Sequence, residues 1–452
     1  MTQTTAATRN TALLAAVFLG TFMALIDVSV VSVALPNMQG SLHADFSGLQ
    51  WIIDGYTVAL TSVILSGGTL GDRYGRKRIY LSALTLFTIA SLACALAPTL
   101  DLLVAARVLQ GFAASSVVPG AVALLAHAYP ETRERAKMMG LWSAVGGCAL
   151  VLGPLAGGPL TDAFGWPAIF LINLPLGVVA VLTGLRGITE SRDPEHGALD
   201  LTGQVLGALW IGLLTYAVIE VGRTGPTTSV LVTGTLGVGA LIAFIVVELR
   251  VPHPMLPIRL FARPRFSVAI FASFSLGFAA YPAVFLIALY LQQARGATAT
   301  EAGVQMLPYM LTNVVAAVVA GRLSARFGAE RLLPVGYGVA AVGSFAFFLL
   351  DADNPYWLAG VVFAIAGAGV GLSLTPSNIV GLAGLPGNRS GIASATVNTA
   401  RQTGMALGIA ALGALLAGGA TFASGLHLAM GVSGAVLLAV ALLAAATLRT
   451  AG

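Results

Sequence analysis

Charge is what this 452-residue chain has least of: Asp, Glu, Lys and Arg together make up 9% of it. Lysine is almost missing, present only as Lys77 and Lys137, and neither stands in a G-x-x-x-x-G-K-[ST] loop, which excludes P-loop ATP-driven work. No H-E-x-x-H or G-x-S-x-G occurs, so a membrane protease or esterase has no support. Histidine is scarce as well, and positions 43, 127, 196, 253 and 427 all fall in loops or near the ends of apolar runs. The two cysteines, Cys94 and Cys148, lie within apolar runs and read as packing residues rather than a disulfide or metal pair. No metal site and no cofactor are expected. An isoelectric point near 9.4 would suit a nucleic-acid binder. The placement of the charges argues against one.

What fills the chain instead is apolar sequence, 57% of residues with a mean hydropathy of +0.90. A soluble domain cannot hide that much apolar surface, so the bilayer must be its solvent. A spanning helix needs roughly 20 apolar residues. Fourteen such runs are present, near 11–36, 47–71, 79–97, 100–126, 138–161, 165–185, 201–221, 227–249, 267–292, 302–326, 331–350, 355–376, 391–418 and 426–448. Their continuity is too long for barrel strands, which alternate over about ten residues. The first run carries Asp27 and is too long for a cleaved leader, so it reads as an uncleaved helix. Threading the runs with the N-terminus inside puts 19 Lys and Arg residues on the inner side and two, Arg223 and Arg295, outside. That bias predicts a multi-pass protein of the cell (cytoplasmic) membrane with both termini cytoplasmic. The expected organisation is an N-terminal six-helix bundle over 1–186, two additional helices over 187–250, and a second six-helix bundle over 251–452.

The densest charge is the island GGTLGDRYGRKRIYL at 67–81, with Arg73, Arg76, Lys77 and Arg78 beside a single acid, Asp72. A bare positive-inside anchor would account for the charge alone. The order of residues says more. Gly321, Leu323, Arg326, Gly328 and Arg331 repeat Gly68, Leu70, Arg73, Gly75 and Arg78 at an offset of 253, with Ala325 in place of Asp72. Two copies at equivalent places point to an internally duplicated transporter. G-x-L-x-D-R-x-G-R-K/R also resembles the loop between helices 2 and 3 of the major facilitator superfamily. The resemblance implies a conformational gating role for Gly68, Asp72, Arg73, Gly75 and Arg76.

Further stretches carry the same resemblance, toward the 14-helix drug:proton antiporters of that superfamily. LIDVSVVSVALP at 25–36 holds Asp27, which counting places past the middle of its helix toward the outer half. An intramembrane acid is costly and marks a site, or else is a structural partner for a neighbouring helix. The resemblance implies proton coupling there, and likewise for Arg107 in AARVLQGFAAS, set at matching depth. Gln110 shares the helical face of Arg107, and Gly111 allows a close backbone approach. Asp54 in QWIIDGYTVAL resembles an acid of exporters that handle organic cations. It is expected about a turn below the outer surface, where plain hydration is the competing reading. GLWSAVGGCALVLGPLAGG at 140–158 resembles the antiporter motif of helix 5, with Ala149 in place of a glycine. Its Gly153, Pro154, Gly157 and Gly158 suit a kinked helix with a smooth face, and the resemblance implies a hinge against the other half. GWPAIFLINLPLG at 165–177 fits the same branch, except at Pro167.

In the second half Arg401 is the one ionisable residue well inside its span, and it either takes an anionic group or bonds Asn398, Gln402 or a carbonyl. Tyr281, Phe285, Tyr290 and Tyr309 offer aromatic faces to a cation or planar drug, or simply pack. The candidate substrate contacts are therefore Asp54, Gln110, Tyr281 and Arg401. The expected fold is all-α integral membrane, two pseudo-symmetric six-helix bundles with two extra central helices. The expected function is proton-coupled export of small apolar or cationic compounds by alternating access, in a protein working as a monomer, with the substrate, protons and lipid as its only partners. A symporter, a lipid or metabolite exporter, or a non-transporting sensor are the alternatives. None of these is an enzyme.

Overall fold

The computed structural model describes residues 2–192, 200–251, 254–256, 258–383 and 390–448; of the side chains, those of 2–9, 65–68 and 390–393 lie outside the description, Gly68 among them. Among the described residues there are helices and no strand. Fourteen helical spans follow one another. The first six are α1 (Thr2–Ser41), α2 (Phe46–Tyr74), α3 (Arg76–Ala95), α4 (Leu100–Ala128), α5 (Thr132–Phe164) and α6 (Ala168–Gly187). Then come α7 (Leu201–Thr224), α8 (Thr228–Arg250), α9 (Pro264–Ala294), α10 (Ala299–Phe327) and α11 (Ala329–Leu349). The last three are α12 (Tyr356–Leu382), α13 (Ser390–Ala417) and α14 (Phe422–Leu448). Among the described residues thirteen are long and apolar enough to cross a bilayer; α2, at 29 residues, completes the set. The protein is multi-pass.

The spans outrun the apolar runs that announce them. α1 continues through Pro36 to Ser41, which places Asp27 near the middle of the helix rather than toward its outer half. Asp45 then caps α2, its carboxylate accepting from the Gly48 amide at 2.8 Å. α2 and α3 are joined by one residue, Gly75, at φ +108°, a conformation that an L side chain resists. Gly328 at φ +86° makes the same one-residue joint between α10 and α11.

The chain divides into two compact units, Met1–Gln204 and Val205–Gly452. In the first, α4 packs on α2 and α3, α1 packs on α5 and α6, and α3 meets α6. In the second, α12 packs on α10 and α11, α9 on α13 and α14, and α11 meets α14. The pairings correspond helix for helix once α7 and α8 are set aside, so the duplication hinted at by the repeated loop extends to the packing of each bundle. α7 leans on α13 where Gly222 meets Ala414, and α8 on α7 where Gly237 meets Leu214. Elsewhere α8 turns Leu231, Val232, Leu236 and Ile242 outward, the pattern of a helix solvated by lipid.

Candidate functional site

The first unit is built around one buried ion pair. Asp27 on α1 and Arg107 on α4 are 0% and 1% exposed, and Arg107 Nη1 donates to Asp27 Oδ2. Most of the polar groups around them are engaged; Asn173 Oδ1 is enclosed without a partner among the described residues. Arg107 Nε donates to the Ile52 carbonyl of α2 at 3.0 Å, and Nη1 also reaches Gln110 Oε1 at 2.8 Å. The guanidinium lies 4.5 Å from the Tyr56 ring centre and 5.7 Å from that of Phe170. Asp27 Oδ1 accepts from Gln110 Nε2 at 3.1 Å and from Asn173 Nδ2 at 3.0 Å. Ser91 Oγ accepts from Gln110 Nε2 at 2.7 Å and Asn173 Nδ2 at 3.4 Å, while Cys94 Sγ donates to Gln110 Oε1 at 3.3 Å.

Five helices, α1, α2, α3, α4 and α6, thus send a group to one spot. A buried charge pair survives only with such compensation, because desolvating two ions costs several kcal/mol each. Gly111 supports the arrangement: a Cβ there would stand 2.2 Å from the Tyr56 carbonyl, so only glycine lets α4 lie this close to α2. Gln110 is wholly engaged in the cage. Asn173 and Ser91 are members that sequence reasoning did not single out, while Cys94, read from the sequence as a packing residue, joins the cage through its thiol. Asn173 had a signal, since it is a lone amide in the apolar run IFLINLPLG.

Asp54 is placed differently from the expectation of a near-surface, hydrated acid. Its side chain is fully enclosed, and among the described residues neither oxygen has a hydrogen-bond partner. Its α2 neighbours Gln50, Ile52 and Ile53 are buried as well, on the helix against which α4 packs.

The α2–α3 joint forms a second polar cluster. Asp72 Oδ1 accepts from Arg76 Nε at 2.8 Å, and exposed Arg73 lies over the Tyr74 ring. The chain leaving α6 returns to cap α3. Glu190 accepts from the Lys77 and Arg78 amides at 3.1 and 3.3 Å, the Ser191 carbonyl takes the Arg76 amide at 3.0 Å, and Lys77 Nζ reaches the Leu185 carbonyl at 2.8 Å. A carboxylate at a helix N-terminus is favourably placed for the helix dipole. In the second copy, Ala325 leaves no such acid, and Arg265 instead pairs with Glu330 at 3.5 Å.

On α5, Gly153, Pro154, Gly157 and Gly158 are all buried. Gly153 and Gly157 press against α1 of the same bundle: a Cβ at Gly153 would stand 1.9 Å from Ser29 Oγ, and one at Gly157 2.6 Å from Val30. Ser29 Oγ in turn donates to the Ala149 carbonyl at 3.4 Å. The smooth face of α5 is therefore fitted to the helix that carries Asp27.

In the second unit Tyr309 and Tyr290 are buried and bonded to the carbonyls of Ala280 and Asp351, and Phe285 is buried too, leaving Tyr281 as the partly exposed aromatic of the four. Arg401 is partly exposed and donates from Nη2 to Asn398 Oδ1 at 2.6 Å.

The profile described as Major Facilitator Superfamily matches residues 17–409. The chain belongs to the major facilitator superfamily. It is a transporter rather than an enzyme. Among its relatives, the Methylenomycin A resistance protein of Bacillus subtilis (strain 168) is 36% identical over 401 residues, 88% of this chain and 86% of that one. The Multidrug resistance protein Stp of Mycobacterium tuberculosis (strain CDC 1551 / Oshkosh) is 35% identical over 88% of this chain and 74% of its own. Among solved structures, an inward-facing, unoccupied bacterial homolog of the human lysosomal transporter Spinster superposes with a TM-score of 0.70 at 18% identity, covering 98% of this chain and 97% of that one. At that identity the likeness speaks for the fold alone.

Proposed function

We propose that this superfamily member is a proton-coupled multidrug exporter, a drug:proton antiporter that works by alternating access in the cytoplasmic membrane. Its substrates are small apolar or cationic compounds, and both termini lie on the cytoplasmic side. Relatives named for resistance support the export of drugs. The observation that carries proton coupling is the ion pair of Asp27 and Arg107. Protonating Asp27 would discharge the bond that ties α1 to α4, and the cage offers Arg107 the Ile52 carbonyl, the Gln110 amide oxygen and two aromatic faces as replacement partners. A proton can thereby change which helices are held together. Asp54, enclosed and without a hydrogen-bond partner among the described residues, is the acid available to a cationic substrate. The Asp72–Arg76 joint and the α1–α5 contact are the places where the resulting movement is transmitted.

Asp27→Asn tests the reading in proteoliposomes, because it fixes position 27 in a neutral form. Export driven by an imposed proton gradient should fall to the background rate while substrate still binds. Gradient-driven accumulation at an undiminished rate in Asp27→Asn would remove the proton from this residue.

A further inference from the structure

The two intramembrane arginines live in opposite circumstances. Arg107 has a carboxylate, a carbonyl, an amide oxygen and two rings. Arg401, twelfth residue of α13 and therefore roughly 16 Å from its Ser390 end, has one neutral partner, Asn398. Its Nε is enclosed without an acceptor among the described residues. The second unit cannot supply a counter-ion, because its six acids are all committed or distant in the fold. Glu220 pairs with Arg223, Glu248 accepts the Leu256 amide, Glu301 caps α10, and Glu330 faces Arg265. Asp351 and Asp353 sit in the connection between α11 and α12.

A guanidinium at mid-span is not left uncompensated in hydrocarbon. The stretch from Asn398 to Gln402 is partly exposed throughout, so a group from outside the chain can reach it. Thr399 within that stretch, and Ser273 one turn before Gly277 on α9, have enclosed hydroxyls with no hydrogen bond among the described residues. Ser273, Gly277 and Tyr281 recur every four residues along one face of α9. That face meets α13, since a Cβ at Gly277 would stand 1.9 Å from the Arg401 carbonyl. One turn further along it stands the partly exposed ring of Tyr281.

We propose that Arg401 binds the carboxylate of an aromatic organic acid, whose ring lies toward Tyr281. The fork of a guanidinium matches a carboxylate in shape and charge, and the bond is strong where water is excluded. The proposal rests on the export reading and names a further substrate class for it, so export is not cationic or neutral compounds alone.

Binding to the purified full-length protein is measured by thermal shift with matched acid and amide pairs: benzoate and benzamide, 2-naphthoate and 2-naphthamide. In the native protein at least one acid should half-saturate at a concentration tenfold or more below its amide. Arg401→Gln should abolish that preference and leave the amide unchanged. Should Arg401→Gln not fold, Asn398→Asp carries the same reading, since a carboxylate from the chain itself would occupy the guanidinium and erase the preference. No acid preference in the native protein, equal weakening of acid and amide in Arg401→Gln, or a surviving preference in Asn398→Asp overturns the proposal. Export is measured separately: an intact acid preference in a protein without proton-driven export sinks the export reading and leaves the anion site standing.

Discussion

At the scale of the residue, the distinction that matters is between charges whose compensation is built in and charges that wait for it. Arg107 belongs to the first kind. Removing one partner of a buried pair leaves the other uncompensated, which typically costs about 3–5 kcal/mol. Arg107→Gln is accordingly expected to lower the thermal unfolding midpoint strongly, whereas the Asp27→Asn/Arg107→Gln double variant, with no charge left in the cage, should recover much of the loss. Unfolding curves of the purified variants check this, and a double variant as unstable as the single would mean that the cage is held by shape rather than by charge. Asp54 and Arg401 belong to the second kind: among the described residues, an enclosed acid without a hydrogen-bond partner and a guanidinium with a single neutral one.

At the scale of the element, the contact between α1 and α5 decides how the charged cage can communicate. Ser29 lies two residues after Asp27, and its hydroxyl touches both the Ala149 carbonyl and the space over Gly153. A methyl group at position 153 would overlap the Ser29 hydroxyl, so Gly153→Ala must push the two helices apart. Overpacking of this kind costs about 1–3 kcal/mol. Gly153→Ala is expected to lower both stability and transport rate, and Ser29→Ala in the same chain should restore part of each by vacating the nearest atom. A double variant no better than Gly153→Ala would place the strain elsewhere on α5. The α2–α3 joint is the other decisive element, where Gly75 turns in a single residue and Glu190 caps the helix that follows.

At the scale of the whole molecule, two bundles repeat one packing plan, and the charged joint occurs once in each. The first has Asp72 before its glycine and the second has Ala325 there with Glu330 after its glycine, so the two joints are electrostatically unequal. The proposed topology places the first joint on the cytoplasmic side. In a variant lacking Cys94 and Cys148, a cysteine introduced as Tyr74→Cys, at an exposed position, should resist a membrane-impermeant maleimide in intact cells and react after the membrane is opened. Rapid labelling in intact cells would invert the threading.

The sequence by itself determined the class of the molecule. Fourteen apolar runs, the bias of Lys and Arg and the repeated loop suffice for a duplicated membrane transporter, because spanning length and loop charge are local properties that no packing can undo. Counting along helices singled out Asp27 and Arg107 as intramembrane charges of the first bundle, although it set Asp27 too far toward the outer end of its helix. The tertiary structure decided what surrounds them. Which serine, amide and carbonyl close the cage depends on how five helices are rotated about their axes, and apolar runs this uniform carry little rotational signal. The same holds for Asp54, whose enclosure no local pattern announces, and for Arg401, whose want of a counter-ion among the described residues shows only once every acid of its bundle has been placed.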